Sequence, residues 1–125
     1  MGKKVVHVEF PAKDVDRAKK FWEGVGGWSL NDAGMPGMQY LMFQEGDQGG
    51  AVFSMEGAGG TTIYLGSEDI DADLAKAKEL GGEAEDKQPI PSIGWFARCK
   101  DSEGNDFSLF QSDENAPMPE GMPGQ

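Results

Sequence analysis

The stretch Asp14-Val15-Asp16-Arg17-Ala18-Lys19-Lys20-Phe21-Trp22-Glu23-Gly24-Val25-Gly26-Gly27 decides the fold, because its frame comes twice. It returns as Asp69-Ile70-Asp71, a helical run, and Leu80-Gly81-Gly82, 55 residues further on at both ends. A fixed internal period defines a supersecondary unit. Asp14 reads as a helix N-cap, with Arg17 where a capping box would put Glu. Val15, Ala18, Trp22 and Val25 fall at helical spacing as an apolar stripe, which Phe21 widens. Gly26-Gly27 reads as the stop. In the second copy Ile70, Leu74, Ala77 and Leu80 make the stripe.

Outward from these helices the pattern changes to strands. Lys4 to Phe10 alternates, with Val6, Val8 and Phe10 on one face and Val5, His7 and Glu9 on the other. Pro11 is expected to end that strand. Residues 28–31, 39–44 and 50–55 read as three further strands, and Gly57 to Gly60 as the link to the second copy. There, 61–66 is a strand, 69–80 a helix and 83–86 a weak strand. A Pro89/Pro91 loop follows, then strands at 93–100 and 106–111. Each copy is thus strand–helix–strand–strand–strand. The class is α+β: two βαβββ modules, about 4–56 and 60–111, in one domain of residues 1–111. The period also lays Phe10 on Leu65, Tyr40 on Trp95 and Leu41 on Phe96. One helix can cover only one face of four strands, so each module leaves a concave, barrel-like face. Residues 112–125, with three prolines, two glycines and no periodicity, read as a disordered tail.

Composition narrows the function. A net charge of −11 on 125 residues argues against nucleic acid and against anionic membranes. The two arginines, Arg17 and Arg98, leave few candidates for a bidentate clamp on an anion. A single cysteine, Cys99, forms no internal disulfide and reads as a buried small hydrophobe. No apolar run reaches membrane-spanning length and no signal-like segment opens the chain, so a cytoplasmic protein is expected.

Alternation then selects the concave face. Val6, Val8 and Phe10 suit the helix-covered core, which leaves His7 and Glu9 for the concavity. The period carries His7 to Thr62, beside Tyr64, and sends Ile63 and Leu65 to the core. In the last strand Phe107 and Leu109 suit the core, leaving Ser108 and Phe110, and the period carries Ser108 back to Phe53, near Met55. His7, Glu9, Phe53, Met55, Thr62, Tyr64, Ser108 and Phe110 form the expected ligand-binding set. It is mostly apolar and aromatic with a few polar groups, as small-molecule pockets are. The same composition suits a barrel-like interior filled by its own side chains.

The quoted elements resemble the vicinal oxygen chelate superfamily, which includes glyoxalase I, extradiol dioxygenases and the bleomycin-resistance proteins. The matching text is His7-Val-Glu-Phe-Pro-Ala-Lys-Asp14-Val-Asp-Arg-Ala-Lys-Lys-Phe-Trp22 with Gly26-Gly27-Trp28. It continues in Asp69-Ile-Asp-Ala, Leu80-Gly-Gly82, Gly94-Trp-Phe-Ala97 and Asp101-Ser-Glu-Gly-Asn105. The resemblance implies four metal-ligand places on the first and last strands of the modules, where glyoxalase I-like members use His or Gln and Glu. Here those places hold His7, Phe53, Thr62 and Ser108, so three lack the expected residue. A shifted set of His7, Glu9 and Asp106 has suitable atoms but not the family spacing. No metal or other cofactor is therefore expected.

The leading expectation is a metal-independent binding protein, homodimeric, holding a small organic ligand in an aromatic pocket. The alternatives are a metal-dependent lyase or isomerase resembling lactoylglutathione lyase, a dioxygenase, and a structural or interaction domain.

Overall fold

A computed structural model describes residues 2–34, 37–54 and 60–118. The chain divides into two compact units, Val5–Ile63 and Met1–Lys4 with Tyr64–Gln125. Met55, one of the expected pocket residues, lies outside the described residues.

The first unit contains β1 (Val5–Ala12), α1 (Val15–Gly26), β2 (Asn31–Asp32), β3 (Tyr40–Glu45) and β4 (Gln48–Ser54). Its strand order is β2-β3-β4-β1. β1 runs parallel to β4, and the other neighbours are antiparallel. Pro11 does not end β1: it pairs with Phe53, and the strand continues to Ala12. Proline removes an N–H, but its fixed φ is compatible with extended chain.

The Asp14 carboxylate accepts from the Arg17 N–H at 3.0 Å, so the N-cap is made as read. α1 stops at Gly27, whose φ of 75° is a left-handed conformation that favours glycine. Gly26 serves differently. A Cβ there would lie 2.9 Å from the Trp28 ring, which folds back against the helix end. Trp28 stacks on Phe43 at 4.0 Å, and Trp22 stacks on Phe10 at 4.4 Å. These rings pack over Val15, Leu30, Leu41, Phe43 and Val52. Val25 and Phe21, expected on the buried stripe, are 71% and 56% exposed. Trp28 covers the core at that helix end.

The second unit contains most of β5 (Thr62–Gly66), then α2 (Ile70–Glu79), β6 (Glu83–Ala84), β7 (Gln88–Ile90), β8 (Gly94–Lys100) and β9 (Asp106–Ser112). Its order is β5-β9-β8-β6, with β7 also on β8. The Pro89 segment, read as loop, is the short strand β7, where proline sits at the margin of a sheet. Ile70 and Leu74 of α2 pack on Ala97, Cys99 and Leu109. Leu80, expected on the stripe, is 69% exposed, and Ile63, expected in the core, is 38% exposed.

The chain beyond β9 departs from the expected disordered tail as far as Met118. Asp113 N–H donates to Ile93 O at 2.9 Å, and Ser92 N–H to Ala116 O at 3.0 Å. Trp95 Nε1–H donates to the Asp113 carboxylate at 3.0 Å, and Ala116 is buried. No helix of the described residues is long and apolar enough to cross a membrane.

Candidate functional site

In the first unit β4 lies between β3 and β1. Val52, Leu41, Phe43, Val8 and Phe10 face the helix-covered core. Their alternates, therefore, share the other face. β1 contributes His7 and Glu9; β4 contributes Gly49, Ala51 and Phe53; β3 contributes Tyr40, Met42 and Gln44. The register sets His7 beside Gly49 and Glu9 beside Ala51, and then Ala51 beside Met42 and Phe53 beside Tyr40.

Side chains on β1 and β3 stand two strands apart, about 10 Å. They meet only by crossing β4, and β4 offers no bulk at Gly49 and Ala51. Tyr40 crosses: its hydroxyl lies 2.5 Å from Glu9 Oε2 and 2.9 Å from His7 Nε2. His7 leans over Gly49 from the other side. A Cβ at Gly49 would stand 3.3 Å from His7 Nδ1 and 3.1 Å from Gln44 Oε1. The ring of Phe53 tilts against Tyr40 at 6.0 Å.

The directions of these hydrogen bonds follow from chemistry. An ionised Glu9 only accepts, so the Tyr40 hydroxyl donates to it. Tyr40 Oη then accepts from His7, which must carry its proton on Nε2. Burial lowers the His7 pKa from its ordinary 6.5, and the Glu9 charge opposes this. His7 is consequently neutral near pH 7. The side chains of His7 and Glu9 keep 18% and 17% of their surface open.

The structure thus brings His7, Glu9 and Phe53 together. Thr62 is half-buried on β5. Tyr64, Ser108 and Phe110 belong to the second unit. There Leu65, Phe107 and Leu109 pack in the core, so Tyr64, Ser108 and Phe110 take the face away from α2. Ser108 is 1% exposed, and its hydroxyl has no hydrogen-bond partner among the described residues.

The residues do not fit the family's metal. His7 Nε2 is taken by Tyr40, an aromatic ring stands at Phe53, and only hydroxyls stand at Thr62 and Ser108. Asp106, considered for a shifted site, pairs with Lys100 at 2.7 Å. Among the described residues no three His, Cys, Asp or Glu side chains converge.

One residue at the site, Tyr40, escaped the sequence reading. Tyr40 was matched to Trp95 by the 55-residue period, yet Trp95 packs in the second core and Tyr40 faces away from the first. Phe53 stands opposite Tyr40, and Ser108 stands opposite Arg98. The offset is therefore 55 on the last strand but 58 on the strand before it. A change from odd to even moves each residue to the other face of a sheet. Alternation within residues 40–45 alone would have put Tyr40 beside Met42 and Gln44, which was the usable signal.

The Glyoxalase-like domain model matches residues 6–110. No curated protein matches the chain in sequence. Among solved structures, a hypothetical protein from Bacillus halodurans C-125 superposes with a TM-score of 0.69 at 15% identity, covering 94% of this chain and 99% of that one. A methylmalonyl-CoA epimerase from Mycobacterium tuberculosis gives 0.67 at 13% identity, with 90% and 88% covered. A glyoxalase/bleomycin resistance protein/dioxygenase superfamily member from Vibrio splendidus 12B01 gives 0.65 at 13%, with 88% and 99% covered. At such identities the structures speak for the fold alone. With the model spanning both βαβββ modules, the chain belongs to the glyoxalase-like domain family.

Proposed function

We propose that this protein binds a small organic ligand on the face of the first unit that carries His7, Tyr40 and Glu9, without a metal ion. The observation that carries this reading is the hydrogen-bonded chain from His7 through Tyr40 to Glu9. It sets three convergent polar groups among Ala51, Phe53 and Met42, the mixture that orients small ligands. A neutral imidazole and a carboxylate leave one negative charge there, which suits a neutral or cationic ligand. The reading includes a cytoplasmic homodimer. Support for a second copy comes from Phe21 and Val25, exposed one turn apart on α1; light scattering reads the oligomeric state.

The test is a fragment screen by ligand-observed NMR, followed by titration of the hits into wild type and Tyr40→Phe. Losing the Tyr40 hydroxyl breaks both hydrogen bonds, and affinity should fall about tenfold. Binding should survive EDTA. Hits that bind Tyr40→Phe as well as wild type, or that need an added divalent cation, would overturn the reading.

A second reading is an isomerase that moves a proton on its bound ligand. It is favoured by the contact of Tyr40 with Glu9, which sets an acid against a base. The likeness to a methylmalonyl-CoA epimerase points the same way. Deuterium entering a bound hit from D2O, and not in Glu9→Gln, would support it.

A further inference from the structure

In the first unit the outer edge of β3 is only half covered. β2 pairs with β3 at Asn31 and Asp32 alone, although residues 28–31 read as a strand. The cause lies in the side chains that precede β2. Trp28 stacks on Phe43 at 4.0 Å, Leu30 is buried, and Leu30 N–H donates to the Glu23 carboxylate at 2.9 Å. These contacts hold residues 28–30 toward α1 and out of the ladder. A cleft of about 390 Å³ opens there, with Gly27, Ser29 and Asn31 on one wall and residues 42–45 on the other.

Register shows which backbone groups face this cleft. Ser54 N–H donates to Gln39 O, on the β4 side, whereas Ala33 N–H donates to Tyr40 O, on the β2 side. Successive residues of a strand turn their N–H and C=O to opposite edges. Tyr40, Met42 and Gln44 therefore face away from β4. Asn31 stands opposite Met42, which puts Ser29 opposite Gln44. Among the described residues no backbone hydrogen bond joins those two. Gln44 thus presents one donor and one acceptor to the cleft. The charge around them is negative. Glu45 lines the cleft and makes no ion pair among the described residues. Residues 21–63 include no lysine or arginine. The last turn of α1, which ends at Gly27 on the cleft wall, has no basic residue to offset its carbonyl end.

We propose that this edge takes up an extended, positively charged peptide of a partner protein as an added strand. A peptide residue opposite Gln44 supplies the matching C=O and N–H. Its side chain falls on the face of Met42, which is 40% exposed. The next peptide residue falls on the face of Glu45, where a lysine or arginine meets the carboxylate. A second copy of this chain would instead bring the same acids edge to edge, and like charges set opposite each other across strands repel. The proposal goes beyond the His7 reading, since it concerns backbone groups at the edge of β3 and a macromolecular partner.

The experiment is calorimetric titration of the whole protein with a blocked pentapeptide, Thr-Lys-Val-Lys-Thr. Two controls accompany it: one with glutamate in place of both lysines, and one N-methylated at the valine and both threonines. Amide exchange at Gln44 is followed by NMR with and without the lysine peptide. That peptide should bind wild type and slow exchange of the Gln44 N–H, and the glutamate form should not bind. N-methylation removes the donors that reach Gln44 O and should weaken binding about tenfold or more. Glu45→Lys, an exposed substitution at the cleft, should weaken it several-fold. The proposal is overturned if the lysine peptide does not bind, or if the methylated form or Glu45→Lys binds as tightly as the parent pair. It is equally overturned if bound peptide leaves Gln44 exchange unchanged, or if self-association already protects that amide without peptide.

Discussion

Burial lowers the pKa of His7 from its ordinary 6.5 while the Glu9 charge pulls it back up. Between the lowered value and 6.5 the unfolded chain binds more protons than the folded one, so stability rises with pH in that window. The contribution of His7 is whole above pH 6.5 and is lost as pH falls through the folded value. Urea unfolding at pH steps on both sides of 6.5 should show a shallower pH dependence in His7→Gln than in wild type. Equal slopes would place the pH dependence elsewhere. At this scale His7 and Glu9 were legible, because alternation along one strand is a local property. Tyr40 was not, because its role depends on reaching across Gly49 and Ala51, two residues defined by what they lack. Cys99 was legible as an inert hydrophobe: it is buried, and burial, helped by Glu85, pushes its thiol pKa up.

Each helix depends on a capping aspartate placed at the same point of its module. Asp14 accepts from Arg17 N–H at 3.0 Å, and Asp69 from Ala72 N–H at 3.1 Å. Asp14→Ala and Asp69→Ala should each cost about 1 kcal/mol of stability. Gly27→Ala should cost about 1 kcal/mol through its left-handed φ. Denaturant midpoints measure all three, and a midpoint at the wild-type value would remove that residue's role in ending or starting its helix. The caps could be read directly because they are set by residues three apart. The buried stripe could only be read in part. Val25 and Leu80 keep helical spacing but are exposed, and Trp28 packs against the first core instead.

At the level of the whole chain, residues 113–116 are held by Ile93, Ser92 and Trp95. Truncation after Gln111 removes a buried alanine and these hydrogen bonds, about 1–2 kcal/mol in all. The Tm should fall by roughly 3–8 °C for a chain of this size. A Tm equal to that of the full chain would show that this docking adds nothing. Composition concealed it, because three prolines and two glycines read as disorder. One small apolar residue and a few backbone groups were enough to anchor the segment.

The sequence by itself determined the two βαβββ modules, the caps, most core faces and the family resemblance. All of these rest on short-range periodicity or on a long repeat that survives small insertions. Only the tertiary structure decided which polar groups meet. Contact across strands depends on register and on the bulk of the strand between. The three-residue change of offset between Tyr40 and Arg98 alters both the partner and the face, and no local pattern records it.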